Sequence, residues 1–168
     1  MRKAALAAVS FSLACAHGAV APEVPPPLGK EVRFALPLLS SAEEVEVPSP
    51  GKVVLVAVWA TWCDVCRDSL AAIQELEREL GPRGLAAFAL DVDADPRKVP
   101  EFVEGAGVRL PVLLDTDAHV SERVLGVRQV PSALVFDRRG VVRKVEPGFD
   151  PERLRALRPE LEGLLAEP

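Results

Sequence analysis

Two cysteines separated by two residues carry the clearest chemistry in this sequence. Cys63 and Cys66 follow an apolar run at 53–59 and precede a segment with helical periodicity. Thiols three residues apart lie on one face of a helical turn. The positive end of a helix favours a thiolate, and the thiolate is the nucleophile in thiol exchange. We therefore expect Cys63 to attack disulfides and Cys66 to resolve the mixed disulfide that forms.

Three other interpretations of the pair stay open at this point. A zinc site needs about four ligands, and the other candidates, Cys15, His17 and His119, are scattered along a chain without a second cysteine pair. Two unreactive core cysteines fit poorly with the start of a helix, where one thiol is exposed. A permanent disulfide would close too small a loop to stabilise much. The spacing favours the redox interpretation and predicts no metal.

The surrounding elements predict an α/β fold. The run 53–59 is rich in β-branched residues, as in a strand buried on both faces. A helix of about 17 residues is expected to start at or near Cys63 and to stop at Gly81. Strands and helices then alternate, and Pro159 is expected to kink or split the last helix. The order predicts a central sheet that is parallel in its middle and antiparallel at one edge. The further predicted elements are strands at 85–91, 111–115, 133–136 and 141–145, and helices that begin at 95, 117 and 150.

The first 21 residues resemble a secretory leader. A basic start is followed by an uncharged apolar stretch from Ala4 to Ala14, too short to span a bilayer. Ser12-Leu13-Ala14-Cys15 resembles the lipobox of bacterial lipoproteins, which predicts lipidation of Cys15. Simple secretion and an uncleaved anchor are the alternatives. The sequence thus predicts an exported protein in the periplasm or cell envelope, with possible attachment to the membrane by a lipid anchor.

A proline-rich stretch separates this leader from the rest of the chain. Four prolines between residues 22 and 27 predict an extended spacer over 22–30. The folded domain is expected over 31–168, with a short strand at 32–36 and a loop or weak hairpin at 42–51. A net charge of −5 makes nucleic acid an unlikely partner.

Two segments resemble the thioredoxin superfamily. Val-Trp-Ala-Thr-Trp-Cys-Asp-Val-Cys-Arg at 58–67 is similar to its active-site segment, closest to the bacterial extracytoplasmic branch that includes the reductants of cytochrome c maturation. Gly-Val-Arg-Gln-Val-Pro-Ser-Ala-Leu-Val-Phe-Asp at 126–137 resembles the segment that holds a cis-proline. The resemblance implies a three-layer fold, a central mixed sheet flanked by helices with an extra helix-strand insertion at 95–115. It also implies that Pro131 is cis and that the backbone of Val130 binds an extended substrate.

The chain departs from the family at three positions. A buried aspartate of thioredoxins is replaced by Ala57, a glutamate of several extracytoplasmic relatives by Ser69, and the usual proline before the second cysteine by Val65. The base for Cys66 is therefore not identified, and Asp68 is a weak candidate. Trp62 is expected to cover the thiols and touch substrate, and Asp64 to tune the pair toward reduction.

The sequence predicts an extracytoplasmic thiol-disulfide oxidoreductase that reduces protein disulfides. Its only redox group is the Cys63-Cys66 pair, so no further cofactor is expected. Its partners are protein thiol or disulfide substrates and an upstream electron donor. An oxidase or isomerase, and a thioredoxin-fold binding module that does not turn over, are the alternatives.

Overall fold

Strands and helices alternate along residues 24–148 and 150–167, the part of the chain that the computed structural model describes. The predicted leader and Cys15 lie outside these residues. The strands are β1 (Phe34–Pro37), β2 (Glu44–Val47), β3 (Val53–Trp59), β4 (Leu85–Asp91), β5 (Val112–Leu114), β6 (Ser132–Phe136) and β7 (Val142–Pro147). The α-helices are α1 (Cys66–Leu80), α2 (Val99–Ala106), α3 (Pro151–Ala156) and α4 (Arg158–Ala166).

Five strands form one mixed sheet in the order β5-β4-β3-β6-β7. Strands β3, β4 and β5 are parallel, whereas β6 and β7 run antiparallel at the other edge. Every residue of β3 is buried, because this apolar, β-branched segment is covered on both faces of the sheet. The predicted α/β architecture, with its parallel centre, antiparallel edge and α2-β5 insertion, is confirmed.

Helices and a hairpin cover the two faces of this sheet. On one face, apolar residues of α1 pack with side chains of α3 and α4 against alternate residues of β3 and β4. On the other face, the antiparallel hairpin of β1 and β2 packs with the segment around Val120–Val124. Successive strand side chains point to opposite faces, so β3 contributes to both cores.

The helix after the cysteines starts later than predicted. It begins at Cys66, with Val65 as its N-cap, rather than at Cys63. The N–H of Cys66 donates to the carbonyl of Cys63 at 3.1 Å, which forms a turn that places Cys63 before the helix. The predicted stop is confirmed, since Gly81 caps α1. The predicted split is also confirmed, because the last helix divides at Leu157 into α3 and α4.

The helix predicted from Asp117 to Gly126 is shortened to a π-helical turn at Val120–Val124. Its first N–H groups bind another acid. Val120 and Ser121 donate to the carboxylate of Asp115, at 3.1 and 2.7 Å. Asp117, the predicted start, accepts a hydrogen bond from the N–H of His119 at 3.1 Å, so Asp115 and Asp117 together fix the start of this turn.

The proline-rich segment packs on the domain over its described part and is not a free spacer there. The N–H of Gly29 donates to the carbonyl of Val142 at 2.8 Å, and the N–H of Val142 donates to the carbonyl of Lys30 at 2.9 Å. Gly126 lies against residues 24–26, and a Cβ at this position would come within 2.5 Å of the Val24 carbonyl oxygen. The stretch lacks an internal ladder but finds backbone partners in the strand β7.

Candidate thiol-disulfide site

A short loop from Ala60 to Val65 carries both cysteines between β3 and α1. The N–H of Cys63 donates to the carbonyl of Ala60 at 3.3 Å, which turns the chain immediately after the sheet. Cys63 and Cys66 are joined by a disulfide, with their Cα atoms 5.4 Å apart. The N–H of Cys66 is taken up by the Cys63 carbonyl, and the next N–H groups at the start of an α-helix have no partners within the helix. Their dipoles favour negative charge on the sulfur that precedes the helix.

The two cysteines differ in how far they reach solvent. Cys63 is 6% exposed, whereas Cys66 is completely buried in the core cluster that contains Trp59. An external thiol or disulfide can therefore approach Cys63 but not Cys66. This asymmetry suits one attacking and one resolving thiol.

Trp62 forms an exposed apolar ridge beside the cysteines. Its side chain is 67% exposed, an unusual value for so large an apolar residue. A cavity of about 160 Å³ lies on its Val130 side, and a cavity of about 450 Å³ lies between Trp62 and Phe102 of α2. An elongated partner could therefore contact Trp62 from either side.

Asp93 ties the cysteine loop to the end of β4. Its carboxylate accepts a hydrogen bond from the Thr61 N–H at 2.7 Å and another from the Thr61 hydroxyl at 3.0 Å. Asp93 itself is buried. Thr61 precedes Cys63 by two residues, so this pair fixes the approach of the chain to the attacking cysteine.

Val130 and Pro131 lie near the same ridge. The Val130-Pro131 peptide bond is cis, and Val130 lines the smaller cavity with Trp62. Within the described residues, neither the N–H nor the carbonyl of Val130 makes a hydrogen bond, whereas the Pro131 carbonyl accepts one from Gly148. The backbone of Val130 is therefore open to a partner.

The insertion helix α2 is anchored beside the start of α1. The rings of Trp59 and Phe102 are 4.8 Å apart, and the Arg67 guanidinium lies 5.2 Å from the centre of the Phe102 ring. Arg67 also donates to the carbonyl of Gly105 at 2.7 Å. These contacts hold α2 beside the cysteine loop, where Arg67 and Phe102 form part of the wall of the larger cavity.

Because of the three departures from the family, neither β3 nor the first turn of α1 carries an acidic side chain that faces the core. Ala57 pairs with Ala89 in the sheet, and Ser69 is buried without a carboxylate. Asp68 is exposed and faces solvent, as is Asp64. A different carboxylate is buried nearby, however. Asp91, the last residue of β4, is 0% exposed.

Comparison with known proteins agrees with this geometry. Residues 31–165 match the family model described as Redoxin. The chain belongs to the Redoxin family. Relatives include the thioredoxin-like protein YneN of Bacillus subtilis, 27% identical over 118 residues that make up 68% of each chain. The thiol-disulfide oxidoreductase ResA of Geobacillus thermodenitrificans is 28% identical over 115 residues, which are 68% of this chain and 66% of ResA.

A solved structure extends the likeness to most of this Redoxin-family chain. A protein assigned as the thiol:disulfide interchange protein DsbE of Chlorobium tepidum superimposes with a TM-score of 0.77 and 26% identity. The match covers 85% of this chain and 100% of that one. Fold, family and the Cys63-Cys66 pair together identify a thiol-disulfide oxidoreductase of the thioredoxin superfamily, as the sequence predicted.

Several predicted residues lie together in this Redoxin-family site, and others do not. Trp62 and Val130 line one cavity, and Val130 packs against the core cluster that contains both cysteines. Pro131 follows Val130, Asp64 is an exposed neighbour of Cys63, and Cys15 lies outside the described residues. In the part of the chain that the structure describes, no helix is long and apolar enough to cross a bilayer. No group of three or more metal-ligating side chains occurs there either.

Sequence analysis missed Thr61, Asp91 and Asp93. The available signal was Asp-Val-Asp at 91–93, directly after an apolar strand. In open α/β sheets, the carboxyl ends of parallel strands are where functional residues gather. Strands β3 and β4 end side by side, since Trp59 pairs with Asp91. The acids after β4 therefore meet the cysteine loop after β3.

Proposed function

We propose that this protein reduces disulfide bonds in other proteins outside the cytoplasm, with Cys63 as the attacking and Cys66 as the resolving thiol. The observation that carries this proposal is the difference in exposure between the two cysteines. Cys63 is 6% exposed and lies next to the exposed Trp62, whereas Cys66 is completely buried. A folded partner would therefore reach Cys63 first.

The reaction transfers two electrons from the dithiol to the substrate. The Cys63 thiolate attacks one sulfur of the substrate disulfide, forms a mixed disulfide and expels a substrate thiolate, which takes up a proton. The Cys66 thiol then loses its proton and attacks the Cys63 sulfur. The mixed disulfide breaks, the second substrate thiolate leaves and is protonated, and the protein retains the Cys63-Cys66 disulfide.

Substrate binding is assigned to Val130, Pro131 and Trp62. The N–H and carbonyl of Val130, which make no hydrogen bond within the described residues, suit the backbone of an extended peptide, which would add as a short strand. The buried Pro131 holds that backbone in place and has no N–H to compete for the peptide. Trp62 offers the peptide an apolar surface next to the reacting sulfur.

An upstream electron donor must return the protein to its dithiol form. The donor supplies a thiolate that attacks Cys63, since Cys66 is buried. No cofactor other than the cysteine pair takes part in this cycle. Asp64, exposed and adjacent to Cys63, biases the pair toward giving electrons away by opposing the thiolate.

Trapping with paired serine variants tests the roles of the cysteines. Cys66→Ser should accumulate mixed disulfides with substrate proteins, because the second step is blocked. Cys63→Ser should form none and should not catalyse insulin reduction by dithiothreitol. Equal trapping by the two variants would contradict the assignment. A wild type that shows no insulin reduction would favour a binding module, and an oxidising reduction potential would favour an oxidase.

Export with a lipid on Cys15 is the second part of the proposal. It is supported by the basic start, the apolar stretch and the lipobox-like order of residues 1–15. Full-length wild type should partition with membranes, and Cys15→Ala should be released into the soluble fraction. If the variant fractionates like wild type, lipidation at Cys15 is wrong.

A further inference from the structure

Asp91 occupies a position where an ionisable side chain is unexpected. It ends β4 and is 0% exposed. Its partner across the sheet is Trp59, the last residue of β3. Alternation along β4 places Asp91 on the face of Ala87 and Ala89, which pack in the core cluster that also contains Cys63 and Cys66. The carboxyl group thus lies in the layer between the sheet and α1.

Among the described residues, no donor meets hydrogen-bond geometry with the carboxyl group of Asp91. Neither of its oxygens accepts a bond within the described residues, and the buried Nε1 of the neighbouring Trp59 is also unpartnered. No ion pair among these residues includes Asp91. A buried polar group left in this way costs stability. Such groups are rare in folded proteins, and catalytic or redox function is one accepted reason for them.

Two other acids near Asp91 favour its protonated form: Asp93 in the loop that follows β4, and Asp115 after β5. Burial is the main cause that raises the pKa of Asp91 to about 8; the side chain of Asp93 and the charge of Asp115 raise it further, whereas the backbone of Asp93 lowers it. A carboxyl group with this pKa can both give and take a proton near neutral pH.

Cys66 needs such a group, because its thiol must lose a proton inside the core before it attacks. A thiol has an ordinary pKa near 8.5, and burial in apolar surroundings raises it. The acids that share α1 with Cys66 do not serve, since Asp68 faces solvent. Among the described acids, Asp91 combines complete burial with a place in the core layer of Cys66.

We propose that Asp91 is the proton-holding residue for Cys66. This inference rests on the proposed function, because it concerns the same thiol exchange. When a donor thiolate attacks Cys63, the Cys63-Cys66 bond breaks and its electron pair goes to the Cys66 sulfur, which takes the proton of Asp91. When Cys66 later attacks the mixed disulfide, its proton returns to the Asp91 carboxylate. Because Asp91 exchanges its proton with the Cys66 sulfur, one of the reacting atoms, its proposed role is that of a general acid and base for Cys66.

Titration of the wild-type protein provides the first test and needs no variant. The side-chain carboxyl carbon of Asp91, assigned by NMR, should titrate near pH 8 in the oxidised protein. Its midpoint should move by about half a pH unit or more on reduction, because the two sites are coupled. A midpoint below pH 5, or the same midpoint in both redox states, would overturn the proposal.

Kinetics of Asp91→Asn provide the second test. At pH 7, resolution of a preformed mixed disulfide should slow by about tenfold or more, and the deficit should shrink by pH 9 as Cys66 ionises without help. Attack by Cys63, followed in the Cys66→Ser background, should keep its rate. Asp68→Asn, which removes an exposed acid from α1, is the matched control and should resolve like wild type.

The outcomes separate this inference from the proposed function. If Cys63 does not attack substrate disulfides in any variant, the proposed function fails. If attack and resolution proceed and Asp91→Asn keeps the wild-type pH profile, only the role of Asp91 fails. If Asp91→Asn does not fold, the titration of the wild type decides.

Discussion

The carboxylate of Asp93 holds Thr61 by two hydrogen bonds, one to the backbone N–H at 2.7 Å and one to the hydroxyl at 3.0 Å. The two residues belong to neighbouring loops, one after β3 and one after β4. Both bonds are charge-assisted and partly shielded from water, which strengthens them. The position of the cysteine loop therefore depends on an acid 30 residues away from Cys63 in the sequence.

Removing this acid should loosen the loop. We expect Asp93→Ala to lower the free energy of unfolding by about 2 to 3 kcal/mol, because the partly buried N–H and hydroxyl of Thr61 lose a charged acceptor. Thr61→Val removes only the hydroxyl bond and should cost about 1 kcal/mol. Urea unfolding of the oxidised proteins measures both. Equal losses in the two variants would show that the backbone bond contributes nothing.

Truncation of Trp62 should lower activity on protein substrates more than activity on small disulfides. We expect Trp62→Ala to lower kcat/KM for insulin by about tenfold, the scale of a lost aromatic contact at an interface. The rate with a small aromatic disulfide should hold, because Cys63 is unchanged. Val65→Ala is the matched control, since Val65 is also an exposed apolar residue of this loop, at 45% exposure. Equal loss with both substrates would argue against a contact with the polypeptide.

The central strand and two of the helix boundaries could be predicted because their signals are local in the sequence. The buried strand at 53–59, the Gly81 stop and the Pro159 split each follow from the residues at those positions. The start of α1 could not be placed, since the turn that holds Cys63 outside the helix depends on a bond between its carbonyl and the N–H of Cys66. Periodicity alone does not distinguish a helical turn from the turn before a helix.

The acids near the site could not be assigned from sequence for a different reason. Asp91 and Asp93 are adjacent to the cysteine loop only because β3 and β4 pair in parallel with Trp59 opposite Asp91. A register of this kind is a property of the folded sheet. The same holds for residues 24–30, whose partners lie in β7. Composition predicted an extended spacer over 22–30, whereas residues 28–30 form a turn, and it gave no information about what the segment contacts.

Removal of the charge at Asp64 should make the protein a weaker reductant. Asp64 is exposed beside Cys63, so its effect on the thiolate is reduced by solvent and salt. We expect Asp64→Asn to raise the reduction potential by about 20 mV, which corresponds to about 1 kcal/mol for a two-electron couple. Equilibration with dithiothreitol buffers and tryptophan fluorescence measures the shift. Asp68→Asn, farther along α1, should move the potential less. A more negative potential in Asp64→Asn would contradict the assigned role.

Asp91 should also make stability depend on pH. Its pKa is about 8 in the folded protein and ordinarily 3.8. Between these values the folded state keeps a proton that the unfolded state has lost. The stability due to the protonated group is therefore complete below pH 4 and is lost as pH rises toward 8, by about 1.4 kcal/mol per pH unit.

Comparison with Asp91→Asn isolates this effect, because other titrating groups are common to both proteins. From pH 5 to pH 7, the unfolding free energy of oxidised wild type should fall by about 2 to 3 kcal/mol relative to that of the variant. Above pH 7, Asp91→Asn should be the more stable of the two proteins, because its amide carries no charge to bury. Urea unfolding at pH 5, 6 and 7 tests the slope. Parallel profiles for the two proteins would show that Asp91 ionises in the folded state at an ordinary pH, and that it cannot hold a proton for Cys66.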